Sequence, residues 1–173
     1  NKQLNRDYIM SAQSESAFYE YIEECQEMLD RLSHNISLTE KNGFNKEIIA
    51  SIYRDMHTIK GSAQLFGFSK IANLAHTMET CLDPIRKEKI KLSKELLDSI
   101  YLGINFIIIA LEKLKETKKE PELKGEIEKL FIKFITSIEL IFTKMKPLAK
   151  DKWLVSDQIP ALDMGLHIVK ETE

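Results

Sequence analysis

Five residues in this chain have types and spacings that could do chemistry together: His57, Lys60, Gly61, His76 and Glu79. They lie in the stretches "MHTIKGSAQLFGF", beginning at Met56, and "IANLAHTMET", beginning at Ile71. An imidazole is largely neutral at neutral pH and offers one ring-nitrogen lone pair. A carboxylate that accepts a hydrogen bond from the other ring nitrogen fixes the tautomer and raises the basicity of the ring. Glu79 is the candidate for that role. Lys60 can neutralise phosphoryl oxygens as a point charge, and His76 can donate a further hydrogen bond to Glu79 or to the phosphoryl group. This is the equipment of a phosphoryl carrier. No Mg²⁺ site is evident, so ATP, its Mg²⁺ and most of the electrostatic catalysis are expected on a partner domain. A metal site built from His57, His76 and Glu79 is disfavoured, because Lys60 one turn away would repel the cation.

Helices must position these groups. At 100° per residue, the apolar stripe of the segment carrying Ile48, Ile52, Ile59, Ala63 and Phe66 centres near Ile52 and Ala63. His57 lies roughly 130° from that centre, on the solvent side. Lys60 and Gly61 are its i+3 and i+4 neighbours, and Tyr53 is at i−4. Glycine within a helix costs about 1 kcal/mol relative to alanine, so Gly61 beside an exposed imidazole leaves room for close approach. Tyr53 and Gln64 flank His57 and are candidate partner contacts. Phe66 and Phe68 are expected to pack near the turn. In the next segment His76 and Glu79, at i and i+3, share one flank of the stripe Ile71, Leu74, Ala75, Met78, Leu82 and Ile85. An antiparallel hairpin across Gly67–Ser69 would bring that flank against His57.

Five segments have a helical period and none alternates like a half-buried strand. The first runs roughly over 15–35, with Phe18, Ile22, Cys25, Leu29, Leu32 and Ile36 as its stripe, and a turn follows at Asn42-Gly43. Asn45, Ser69 and Ser93 are the expected N-caps of the second, third and fourth helices. Pro84 falls near the end of the third. The charged run "KETKKE" leads to Pro121, suited to the first turn of a fifth helix with the stripe Ile127, Leu130, Phe134, Ile138, Ile141 and Met145. That face is too apolar for water and must meet the bundle or a partner. The expected architecture is all-α: an antiparallel four-helix bundle over 15–116 with an additional C-terminal helix over 117–147. Residues 1–14 form a lead-in, and 148–173, with Trp153 and Pro160, carry no assignable pattern.

Composition narrows the function further. The chain has 173 residues, 43 % hydrophobic and 30 % charged, with a formal net charge of −2. That suits a helix-rich globular domain and supplies no positive field for nucleic acid or anionic membrane. The longest apolar run, "INFIIIALEKL", is far short of the roughly 20 residues of a membrane span, and no direct membrane contact is expected. Cys25 and Cys81 have no CxxC spacing and read as reduced thiols in a cytoplasmic protein. His34 and His167 lack such company and read as surface residues. The first residue is Asn1 and no signal peptide is visible, so an excised piece of a longer protein is expected.

The two stretches resemble the histidine phosphotransfer (HPt) domain, in particular the version found at the start of chemotaxis histidine kinases. The family motif, His-x-x-Lys-Gly with a later glycine, is matched by His57, Lys60, Gly61 and Gly67, and the chemotaxis version's downstream His and Glu by His76 and Glu79. The resemblance covers roughly 15–115. It implies that His57 is the phosphoacceptor, that Glu79 orients it, and that Lys60 and His76 assist. The implied partners are a histidine kinase catalytic domain and a response-regulator receiver domain, within a two-component phosphorelay. No Gly-rich ATP lid or Asn box is present, so the chain carries no kinase domain of its own. The competing expectation is a helical docking module that takes no phosphate and binds through the fifth helix.

Overall fold

The computed structural model describes the backbone of residues 2–144 and the side chains of 13–141. Five helices follow in order: α1 (Lys2–Asn42), α2 (Lys46–Phe66), α3 (Ser69–Arg86), α4 (Lys94–Thr117) and α5 (Gly125–Lys144). The described residues contain no strand. Helices α1 to α4 each pack on their chain neighbours, α4 closes back onto α1, and α5 lies on the outside of α4. The short connections at 43–45 and 67–68 make the neighbours antiparallel.

The helix ends explain themselves locally, with two exceptions. Asn45 caps α2, its side-chain oxygen accepting from Glu47 N and Ile48 N at 3.0 Å each. Ser93 caps α4 through Leu96 N. Gly67 ends α2 in the left-handed region at φ 75°, and Phe68 N reaches back to Ala63 O at 2.9 Å. The first exception is α3, which Ser69 does not cap. Glu120 does so from the α4–α5 connection, its carboxylate accepting from Lys70 N at 3.2 Å and Ile71 N at 2.8 Å. A carboxylate at a helix N-terminus also meets the favourable end of the dipole. The second exception is α5, which starts at Gly125 rather than around Pro121. Pro84 lies inside α3, and the helix ends two residues later at Arg86.

The first helix is longer than its apolar stripe suggested. It reaches from Lys2 through the expected lead-in and on to Asn42, since no Gly or Pro interrupts that span. Its buried face is Phe18, Tyr21, Ile22, Cys25, Met28, Leu29, Leu32 and Ile36. The expected packing of Phe66 and Phe68 is present: Tyr21 meets both rings, with centroids 4.7 and 5.4 Å away. The apolar face of α5 is spent on the bundle, with Phe131, Phe134 and Ile138 fully buried and Phe131 against Phe106 at 5.5 Å. Gly103 makes room there, because a Cβ on it would stand 2.6 Å from Met78 Sδ and 3.0 Å from Phe134 Cε2. Cys25 and Cys81 are buried free thiols, both pushed up by burial. Among the described residues no helix is long and apolar enough to cross a membrane. Met145, His167 and the whole of 148–173 lie outside the described residues.

Candidate functional site

Helix α2 buries Ile49, Ile52, Met56, Ile59 and Ala63 against its neighbours, and this fixes what the remaining positions can do. His57, next to Met56, is turned outward with its side chain 62 % exposed. Across the Gly67 turn, α3 buries Leu74, Ala75, Met78 and Leu82. Glu79 falls at the rim of that face, its side chain only 9 % exposed. The hairpin therefore sets an exposed imidazole beside a nearly buried acid.

His57 Nδ1 stands 2.7 Å from Glu79 Oε1, and Lys60 Nζ 2.6 Å from Glu79 Oε2. Burial works to raise the Glu79 carboxyl. Hydrogen bonds from Lys60, His57 and Tyr53, with the Lys60 charge, overcome it and hold the group below its ordinary value. An ionised carboxylate only accepts, so the Nδ1 hydrogen of His57 donates to it. The Nε2 lone pair then belongs to the exposed part of the ring. Such a nitrogen is an available nucleophile whose orientation is fixed from behind.

Tyr53 and Arg86 complete the surroundings. The Tyr53 ring lies nearly parallel to the His57 ring, at 16° with centroids 6.4 Å apart. Burial first, and then the hydrogen bond to Glu79, push its phenol up. The Arg86 guanidinium carbon sits 4.5 Å over the Tyr53 ring, while Arg86 Nη2 donates to Asp83 Oδ1 at 2.7 Å. Asp83 also pairs with Lys87 at 2.6 Å. Burial tends to raise the Asp83 carboxyl, but these two cations hold it below its ordinary value. A cavity of about 390 Å³ opens alongside, lined by Tyr53, His76, Glu79, Asp83, Lys87 and Lys89.

The helix pair thus brings His57, Lys60 and Glu79 into one group, joined by the His57–Glu79 hydrogen bond and the Lys60–Glu79 ion pair. His76 is not part of it. Its ring is half-buried in the wall of the cavity that Glu79 also lines, and makes no hydrogen bond or ion pair among the described residues. A Cβ on Gly61 would meet nothing within 4 Å, so the glycine opens the surface rather than fitting a neighbour. Gln64 is exposed further along. Leu65, at i+8 from His57 on the same face, is 88 % exposed. Among the described residues no three His, Cys, Asp or Glu side chains are grouped to hold a metal ion. Sequence reasoning missed the Arg86 guanidinium over the Tyr53 ring and the Arg86–Asp83 pair behind it. The available signal was spacing: Asp83 and Arg86 follow Glu79 at i+4 and i+7 on one face of α3.

Comparison with known proteins agrees with this geometry. The Hpt domain family model matches residues 18–130. The chemotaxis protein CheA of Listeria monocytogenes is 36 % identical over 81 residues, which are 47 % of this chain and 13 % of that protein. The chain therefore spans a small part of the length of the curated relatives it matches. The solution structure of the histidine phosphotransfer domain of CheA aligns with a TM-score of 0.64 at 29 % identity, covering 80 % of this chain and 97 % of that one. The phosphorylated P1 domain of CheA3 from R. sphaeroides, solved in complex with CheY6, has the same fold at 18 % identity, with a TM-score of 0.63 over 71 % of this chain and 95 % of that one. With the family model covering well over half its length, the chain belongs to the Hpt domain family.

Proposed function

We propose that this chain is a histidine phosphocarrier in which His57 Nε2 accepts a phosphoryl group from a histidine kinase catalytic domain and passes it to an aspartate of a response-regulator receiver domain. The observation that carries this reading is the 2.7 Å contact from Nδ1 of an exposed imidazole to a nearly buried carboxylate. The Nε2 lone pair attacks the γ-phosphorus of ATP held on the kinase domain. An N–P bond forms, the bond from phosphorus to the ADP oxygen breaks, and the Nδ1 proton stays in place. The resulting imidazolium is stabilised by Glu79 at the moment its charge appears. In the second transfer an aspartate oxygen takes the phosphorus, the N–P bond breaks, and the ring returns neutral with the same proton on Nδ1. Lys60 keeps Glu79 ionised and supplies a positive charge one turn along α2 from the ring that takes the phosphoryl group. ATP and Mg²⁺ belong to the kinase domain. Gly61, Gln64 and the exposed Leu65 form the face on which a partner would dock.

The test uses the CheA kinase core of Listeria monocytogenes with Mg²⁺ and radiolabelled ATP. The wild-type chain is expected to gain acid-labile, base-stable label. His57→Gln should gain none while keeping its helical circular dichroism. Equal labelling of both chains would overturn the assignment.

A further inference from the structure

We infer that the cavity beside His57 seats an acidic side chain of the receiver domain, with Lys89 as the cation that holds it; this rests on the phosphocarrier reading. The cavity, of about 390 Å³, shares Glu79 with the reacting pair, so a group that enters it lies next to the support of the imidazole. Its own acids are already matched. Glu79 meets His57 at 2.7 Å and Lys60 at 2.6 Å, while Asp83 meets Arg86 at 2.7 Å and Lys87 at 2.6 Å. The half-buried His76 ring and the Lys89 ammonium line the same space, and neither side chain has a hydrogen bond or ion pair among the described residues. An ammonium only donates and an imidazole can donate, so what the space lacks is an acceptor, and a charged one suits it best.

The backbone puts Lys89 in that wall. After α3 ends, Lys87 N donates to Asp83 O at 3.0 Å, Glu88 N to Ile85 O at 2.9 Å and Lys89 N to Pro84 O at 2.8 Å. Glu88 takes φ 58°, in the left-handed region that a side chain disfavours, and its carboxylate stands 2.7 Å from Lys46 Nζ. The turn thus brings the chain back over the end of α3 and delivers a cation to the cavity while matching the neighbouring acid elsewhere. Backbone of this kind persists where the contacts around it over-determine it.

Charge selects the occupant. A kinase domain surrounds the phosphates of ATP with cations, which the ammonium of Lys89 would repel. A receiver takes the phosphoryl group on an aspartate, and the Mg²⁺ that assists such a transfer is held by carboxylates, so its mouth is acidic. The cavity opens on the α3 side of His57, where a domain facing the ring can reach it.

The test titrates the ¹⁵N-labelled chain with CheY6 of R. sphaeroides, which was solved in complex with a P1 domain of this fold. Wild-type amides should shift over 84–89 as well as 57–65. Lys89 is exposed, so its substitution leaves the core intact. Half-saturation should rise about threefold in Lys89→Gln and about tenfold in Lys89→Glu, with Lys89→Arg like wild type. Transfer from the labelled chain to limiting CheY6 should slow by the same factors, while labelling by the CheA kinase core stays within about twofold. Shifts confined to 57–65, or none at all, would overturn the inference. So would equal half-saturation in wild type and Lys89→Glu, or a loss of kinase labelling that matches the loss of transfer, which would give the cavity to the kinase domain. Absence of label on the wild-type chain would count against the phosphocarrier reading, whereas the titration judges the cavity without any phosphate.

Discussion

Replacing Glu79 tests the site most directly, because glutamine and alanine remove different parts of its action. Glutamine keeps one acceptor oxygen where the carboxylate has two. That oxygen can serve His57 or Lys60, which stand 2.7 and 2.6 Å from the two carboxylate oxygens, but not both well. A hydrogen bond to a charged group contributes about 1.5–3 kcal/mol, and a neutral one about 0.5–1.5 kcal/mol. The variant Glu79→Gln therefore loses roughly 1–1.5 kcal/mol of support for the developing imidazolium, a slowing of about five- to tenfold. Glu79→Ala loses the whole contribution, and transfer should fall by about 10- to 100-fold. Lys60 is 18 % exposed at its side chain and can turn to water once its partner is gone. The stability loss in either variant should stay near 1 kcal/mol, a shift of roughly 2–4 °C in Tm for a chain of this size. The assay is single-turnover phosphorylation at saturating kinase core, with thermal melts in parallel. The order should be wild type, then Gln, then Ala. If all three lie within twofold of one another while His57 carries the label, the carboxylate does not orient the ring.

Four other outcomes follow from the same contacts. Gly61→Ala should raise stability by up to about 1 kcal/mol, since its methyl meets nothing within 4 Å, yet slow transfer from the kinase; a melt and a transfer assay on one sample check both signs, and unimpaired transfer would remove the close-approach argument. Gly103→Ala should cost about 1–3 kcal/mol in urea unfolding, because its methyl must displace Met78 or Phe134. Glu120→Ala should cost about 1 kcal/mol by uncapping α3, with no loss of His57 labelling at temperatures below the melt. Glu79 is held below its ordinary value of 4.5, so the unfolded chain binds the extra proton in acid. Its stabilisation is complete above about that pH and fades as the pH falls through the depressed value, and urea titrations of wild type and Glu79→Ala should converge in that acid window.

The hairpin and its reacting pair were legible in the sequence because both rest on periodicity. The stripe of α2 turned His57 outward, the stripe of α3 left Glu79 at its edge, and the two-residue connection at 67–68 left one way to fold them together. What escaped was set at long range. Nothing near Ser69 reveals that a glutamate some fifty residues later caps α3 through two backbone amides. Spacing placed His76 beside Glu79, and the two do line one cavity, but the carboxylate's close partners are His57 and Lys60. The start of α5 moved from Pro121 to Gly125 because Glu120 ties the connection to α3, so the chain re-enters a helix only after that contact. In α1 the apolar stripe marked only the part that meets the bundle, while helix continued where no breaker stopped it.

The asymmetry between His57 and Glu79 is what lets one side chain be both reactive and ordered. An ion pair between two exposed groups contributes about 0–1 kcal/mol, too little to keep an imidazole in one tautomer against water. Burying both would fix the ring but close it to a second protein. Here the ring is 62 % exposed and the acid 9 %, so water competes weakly for the oxygen that matters and freely surrounds the nitrogen that reacts. Burial alone would protonate the acid and abolish the arrangement. Lys60, drawn in over α2 to Oε2, prevents this and makes the ionised form the stable one. Lys60 therefore acts on the chemistry through Glu79 even before any phosphate arrives, and removing its charge should weaken the hold on His57 without touching the ring.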